Sequence, residues 1–179
     1  MVTDDEFVPQ NVNTAVNAAG VQWDWGAGTN NDHNVRQDDK LFRSGNTTDS
    51  GTYLVGNPSA GTFPYYCEAH GSPGSGMHGT LKIKPDQVAT KTKLGEVQIG
   101  VQWAEGDLET GDRFDVQYRV GNKDWKGWKQ HTAKVEGAFG KNGNPVEVKP
   151  GTTYKFRARS REGNKQSGFS PALKVTTPG

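Results

Sequence analysis

Residues able to do chemistry concentrate in one stretch, residues 63–83, FPYYCEAHGSPGSGMHGTLKI. It holds the only cysteine, two of the four histidines and one of the two methionines. A thiolate at Cys67, an imidazole at His70 two intervening residues later, and a thioether at Met77 beyond a Gly/Ser/Pro loop are ligand types that suit copper in both oxidation states. The remaining ligand is expected from a histidine far upstream. His33, in Asn31-Asp32-His33-Asn34-Val35, is the natural candidate. The expected set is His33, Cys67 and His70 in a rough plane, with Met77 as a long, weak axial ligand. His78 follows Met77 directly and is the rival for the axial role. Adjacent strand residues point to opposite faces, so the two are not expected on one ion.

These side chains need strands to hold them. Alternation over residues 61–67 sends Phe63, Tyr65 and Cys67 to one face, which places Cys67 at the inner end of a strand behind aromatic rings. Residues 80–84 alternate as a closing strand that Pro85 stops. Upstream, residues 4–16 read as an extended segment broken by Pro9, with Val12 and Val16 inward and a turn at Ala18-Ala19-Gly20. Residues 21–25 form a strand with Val21, Trp23 and Trp25 on one face. Trp23 is expected in the core, while Trp25 either joins it or borders the metal. Turn-forming residues 26–32 deliver His33. Residues 36–57 are polar and irregular, with Phe42, Tyr53 and Leu54 as buried anchors and a turn at Asp49-Ser50-Gly51 before a strand over 52–55.

The first half resembles the cupredoxins, small blue copper proteins of the plastocyanin type. The resemblance rests on Phe7-x-Pro9, Val21-x-Trp23, His33-Asn34-Val35, Gly61-Thr62-Phe63 leading to Tyr66-Cys67, the Cys67-x2-His70 step, and Met77-x-Gly79-Thr80. Two departures stand out: the His70–Met77 loop has six intervening residues, longer than plastocyanins usually carry, and the chain begins almost at Phe7, so a short first strand and a trimmed start are expected. The resemblance implies a Greek-key β-sandwich holding one type 1 copper ion. It also implies that Asn34 ties the two ligand-bearing loops together near the thiolate, where such contacts tune a metal. Electrons would enter and leave at the His70 edge, within a docking patch of His70, Gly71, Pro73 and Gly76.

The 179 residues suffice for one or two small domains. Twenty-four glycines, nine prolines and short Val/Thr/aromatic runs point to strands and turns rather than helices. No apolar run is long enough to cross a bilayer as a helix, and no charged-then-apolar leader precedes Phe7, so a signal peptide is read as absent or removed. One cysteine excludes an internal disulfide. Residues 1–85 carry five Lys/Arg and nine Asp/Glu, net −4, and residues 86–179 carry sixteen and eleven, net +5. That asymmetry either orients partners or brings the halves together, or the two are ordinary charged surfaces. It lacks the clustered basic and aromatic pattern of a nucleic-acid binder.

The second half resembles a fibronectin type III module through Val97-Gln98-Ile99-Gly100-Val101-Gln102-Trp103, Phe114-Asp115-Val116-Gln117-Tyr118-Arg119-Val120, Val148-x-Pro150-Gly151-Thr152-x-Tyr154-x-Phe156-Arg157 and Ser167-Gly168-Phe169-Ser170-Pro171. Tyr154 falls at the tyrosine-corner position of that sandwich. The expected organisation is all-β: a copper domain over 1–85, a polar linker over 86–93, and a fibronectin type III sandwich over 94–179. Trp125 and Trp128, interleaved with Lys123, Lys126 and Lys129, either pack on that sandwich or form its binding surface. His131 is expected at the surface, and Gly111-Asp112-Arg113 is a turn.

A His2Cys set with weak axial sulfur needs no open coordination position, general base or substrate pocket, so a one-electron carrier is expected rather than an enzyme. No His-x-His pair of the kind that builds multicopper catalytic centres is present. The expected partners are a redox protein and a cell-surface or other protein met through the second domain, with the chain monomeric and no nucleic acid bound. The resemblance implies a location outside the cytoplasm: periplasm, cell surface or secretion. Two other readings stay open: copper delivery, which a soft thiolate–thioether site suits, and an extracellular interaction protein with a structural metal. Zinc would want four strong ligands, and methionine is a poor one.

Overall fold

The structure is a computed structural model that describes every residue except 19, 26–28, 56–58, 94–95 and 107–110, and describes only the backbone of 89–93 and 96. The chain is all-β. In the first half, β1 (Val2–Thr3) and β2 (Glu6–Phe7) form a hairpin with Asp4 and Asp5 at its turn. Asp5 has φ 63°, a left-handed conformation that short polar side chains tolerate. Next come β3 (Asn11–Ala15), β4 (Val21–Asp24), β5 (Arg36–Gln37), β6 (Thr52–Val55), β7 (Gly61–Ser72) and β8 (Ser75–Lys84). One sheet runs β3-β8-β7-β5, with β3 parallel to β8 and the other pairs antiparallel. β4 and β6 pair separately.

The β7–β8 hairpin follows from the expected alternation. On β7, Gly61, Phe63, Tyr65 and Cys67 are buried; on β8, Met77, Gly79, Leu81 and Ile83 are buried. Tyr65 meets Phe7 and Trp23 edge-on, with ring centroids 4.9 and 5.2 Å apart. Such pairs add roughly 0.5–1.5 kcal/mol each to area burial. Opposite Tyr65, Gly79 is obligatory: a Cβ there would lie 2.3 Å from the Gln10 carbonyl oxygen and 2.7 Å from the Tyr65 ring.

In the second half, β9 (Asp86–Lys93), β10 (Glu96–Gln102), β11 (Asp112–Val120), β12 (Lys126–Thr132), β13 (Glu136–Phe139), β14 (Thr153–Glu162), β15 (Lys165–Gln166) and β16 (Leu173–Thr176) form two sheets. One runs β13-β10-β9; the other runs β12-β11-β14-β15, with β16 also on β14. Phe139 of the first sheet packs against Tyr154 and Phe156 of the second, at 5.6 and 4.9 Å between centroids, so the two sheets share one core. The Tyr154 hydroxyl accepts the Lys149 N–H at 2.9 Å, the bond expected of a tyrosine corner.

Residues 86–93, expected as a linker, are strand β9, which pairs with β10 from Asp86↔Gln102 to Lys93↔Glu96. Backbone pairing rather than apolar alternation makes this strand, since Val88 stays 42% exposed. Leu54, expected as a buried anchor, is 57% exposed because the β6 pleat turns Tyr53 and Val55 inward instead. Val16, Trp23 and Trp25 are buried as expected, Phe42 and Tyr53 pack against the core, and Val12 is half-buried. His131 is exposed. Parts of the turn at 18–20, the loop at 26–32, the segment at 36–57 and the start of the second domain at 94 lie outside the described residues.

The two halves meet at the start of β7. Thr62 and Gly168 exchange backbone hydrogen bonds, both 2.9 Å, and the Thr62 hydroxyl donates to the Phe169 carbonyl at 2.8 Å. The Ala60 N–H donates to the Trp103 carbonyl at 2.7 Å. β7 thus runs from the second sandwich to Cys67, a span of about 17 Å at strand rise.

Candidate metal centre

Three segments bring ligand atoms together. β7 carries Cys67, which is fully buried as its alternation requires. Beyond Tyr66 the β7–β8 ladder loses register and resumes at Gly71↔Gly76, so residues 67–70 leave the regular pairing and His70 turns toward Cys67. Gly76 closes this loop with φ 65°, where a Cβ would lie 2.5 Å from the His70 carbonyl oxygen. Only glycine suits both the angle and the contact.

His33 comes from the irregular segment after β4 and is held through its backbone. It exchanges hydrogen bonds with Thr48 at 2.8 and 2.9 Å. The buried Trp25 indole N–H donates to the His33 carbonyl at 3.1 Å. Trp25 therefore packs in the core and also positions a ligand-bearing residue, joining the two alternatives the sequence left open.

The resulting triangle is tight. His33 Nδ1 lies 3.8 Å from Cys67 Sγ, His70 Nδ1 lies 3.7 Å from Cys67 Sγ, and the two Nδ1 atoms are 3.1 Å apart. An ion bound trigonally at about 2.0 Å to nitrogen and 2.3 Å to sulfur requires N···S separations of about 3.7 Å and N···N of about 3.5 Å. The residues fit a metal ion. Among the described residues, His33, Cys67 and His70 are the histidine, cysteine and acidic side chains that converge as such a group. Burial lowers the His33 pKa, and His70 lowers it further, against the raising effect of Asp5 and Asp4. Neutral imidazole is the form that binds metal.

Met77 is 2% exposed and faces inward from β8, on the strand that pairs with the Cys67 strand. His78 points the other way, is half-buried, and has its Nδ1 2.8 Å from the Gly76 carbonyl oxygen. Met77 and His78 thus face opposite sides of β8, as expected of adjacent strand residues. In the expected docking patch, the His70 side chain is 29% exposed, Gly71 is half-buried, and Pro73 and Gly76 are exposed.

Asn34 is fully buried and joins the two ligand segments. Its Oδ1 accepts the Glu68 N–H at 2.8 Å, and its Nδ2 donates to the Gly45 carbonyl at 3.0 Å and to Glu68 Oε2 at 2.5 Å. Glu68 also pairs with Arg36 and with Arg43, the latter at 2.7 Å. Desolvation raises the Glu68 carboxyl, but hydrogen bonds from Arg43, Asn34 and Arg36 outweigh it and hold the pKa at about 2.

Sequence reasoning missed the β1–β2 turn. Asp5 Oδ1 lies 3.6 Å from His70 Nδ1, and Asp4 Oδ1 lies 3.8 Å from His33 Nε2, a buried nitrogen without a hydrogen-bond partner. Asp4 is anchored by the Asn30 N–H at 2.7 Å and the Asn30 side-chain amide at 2.6 Å. A pair of acids at a short hairpin turn carries no ligand spacing, so nothing in the sequence linked them to His33.

No protein-family model matches the chain, and no curated protein matches it. Among solved structures it is similar to a myokine structure at 14% identity, over 55% of this chain and 96% of that chain, with TM-score 0.41. It is also similar to the chicken CNTN1 FN1–FN3 domains at 11% identity, over 83% of this chain and 56% of that chain, with TM-score 0.35.

Proposed function

We propose that this chain is a mononuclear type 1 copper electron-transfer protein and not an enzyme. The observation that carries the reading is the triangle of His33 Nδ1, Cys67 Sγ and His70 Nδ1, with both Cys67 and His33 fully buried. His33, Cys67 and His70 would hold the ion, and Met77 would stand as the weak axial ligand. Bound copper would supply a one-electron couple between Cu(II) and Cu(I). Trp25 and the Thr48 bridge fix His33, Asn34 fixes the backbone after Cys67, and Gly76 fixes the His70 loop, so the ligands are restrained against rearrangement between oxidation states. The buried face of β7–β8 excludes water, and the partly exposed His70 edge is the route by which a redox protein partner exchanges electrons.

The second sandwich serves as spacer or docking platform of the fibronectin type III kind for a monomeric chain outside the cytoplasm. Protein-film voltammetry of the copper-loaded chain distinguishes this reading from delivery. A carrier gives a reversible one-electron wave and keeps its copper through repeated cycles. Loss of copper to a thiol acceptor on reduction, with no reversible wave, would overturn the carrier reading in favour of delivery.

A further inference from the structure

We infer that the outer face of the β11–β14–β16 sheet in the second half is a docking surface for a linear sulfated polysaccharide. The inference is independent of the copper reading. Strand β14 alternates Phe156 and Ala158 inward with Lys155, Arg157, Arg159 and Arg161 outward. Outward residues on one strand recur about every 7 Å, a straight row of cations. Register widens the row: Arg119 of β11 and Lys174 of β16 sit on either side of Lys155.

Arg159 and Arg161 share the one carboxylate of Asp115, at 2.9 and 2.6 Å. Arg119, Lys155, Arg157 and Lys174 have no carboxylate partner among the described residues, and Arg119 Nε is buried without a hydrogen-bond partner. Arg157 Nε donates to Gln117 Oε1 at 2.9 Å and Lys155 Nζ to Asn122 Oδ1 at 3.1 Å, neutral acceptors that leave both charges uncompensated, and burial, then the neighbouring Arg119 and Arg159 charges, push the Arg157 guanidinium down.

Two aromatic rings hold the cations in place. Arg119 and Arg157 lie over Trp125 at 4.7 and 4.3 Å, and Arg157 and Arg159 lie over Phe169 at 4.4 and 4.7 Å. Stacking of this kind pre-orders guanidinium forks, which match oxyanions with paired hydrogen bonds. At the Arg159–Arg161 end the face opens into a cleft of about 290 Å³ whose rim includes Lys129, Gln130 and His131.

The geometry also selects among polyanions. A single-stranded nucleic acid binds by stacking bases on free ring faces, and here guanidiniums already lie over both rings. An acidic peptide added as a strand would pair at an end of the sheet, β12 or β16, and would leave the interior row on β14 uncovered. A polysaccharide with sulfates spaced along a flexible chain needs only the side-chain row that is present.

The test is titration of the full chain with a heparin oligosaccharide at several salt concentrations, following Trp fluorescence. The wild-type chain is expected to bind at physiological salt. K155Q/K174Q, outside the aromatic stack, should bind about tenfold more weakly with the salt slope reduced by about 2, roughly one per lost cation. R119Q/R157Q should lose more, and its unfolding midpoint tells whether the stack survives. Absence of wild-type binding, unchanged binding by K155Q/K174Q, or equal binding of desulfated heparin or of a thymidine oligonucleotide of matched charge would each overturn the inference.

Discussion

Asn34 shows how much of the candidate centre rests on single side chains away from the ion. It links the backbone after Cys67 to the segment that delivers His33, so its loss loosens two ligands together. Asn34→Ala is expected to lower copper affinity about 10–100-fold while leaving the fold intact, as measured by competition with a chelator. Met77→Leu should retain copper and raise the reduction potential, because a donor that stabilises the oxidised ion is gone; an unchanged potential, with a shift from His78→Ala instead, would transfer the axial role. Glu68 makes a pH statement. Its folded pKa, about 2, lies below its ordinary value of 4.5, so its contribution is complete above pH 4.5 and is lost as pH falls toward 2. Glu68→Gln should therefore destabilise the metal-free chain by about 2 kcal/mol at neutral pH and by almost nothing at pH 2, read from urea unfolding at each pH.

At the scale of elements, alternation made the strands over 61–67 and 80–84 legible, with Phe63, Tyr65, Cys67, Leu81 and Ile83 inward, but not their extension to Ser72 and back to Ser75 as one hairpin. Crowding at Gly79 was not legible, because it depends on Gln10, far away in sequence and brought close by the parallel β3–β8 pair. Gly79→Ala should cost about 1–3 kcal/mol in thermal unfolding and disturb the hairpin beside Met77. β9 escaped notice for a related reason, since its pairing with β10 is a backbone property that its polar side chains do not announce. Leu54 is apolar, yet the β6 pleat turns it outward, because a strand buries alternate positions and Tyr53 and Val55 take the inner ones. The Asp4–Asp5 turn reaches His33 and His70 only through the folded chain, which no local pattern encodes. Trp125 and Trp128, three residues apart, part company: Trp128 packs 5.6 Å from Trp103 and 5.2 Å from Phe139, while Trp125 stacks with arginines.

For the whole molecule, one strand joins the two activities assigned to it. β7 is bonded to the second sandwich at Thr62 and carries Cys67 and His70 toward its other end, so a surface engaged through the second half holds the candidate centre at a fixed distance. Metal binding should be felt globally, since an ion held only by the folded chain adds about 4 kcal/mol at a thousandfold excess over its dissociation constant. Copper should raise the unfolding temperature near pH 7, by less in acid, where protons compete with the metal for its ligands, and not at all in Cys67→Ala. The most direct test of the copper centre is the visible absorption and electron paramagnetic resonance spectrum of the Cu(II)-loaded chain during reduction. A type 1 centre gives an intense thiolate-to-copper band that bleaches and returns reversibly. Colourless protein, or the weak absorption of nitrogen and oxygen ligation alone, would contradict it.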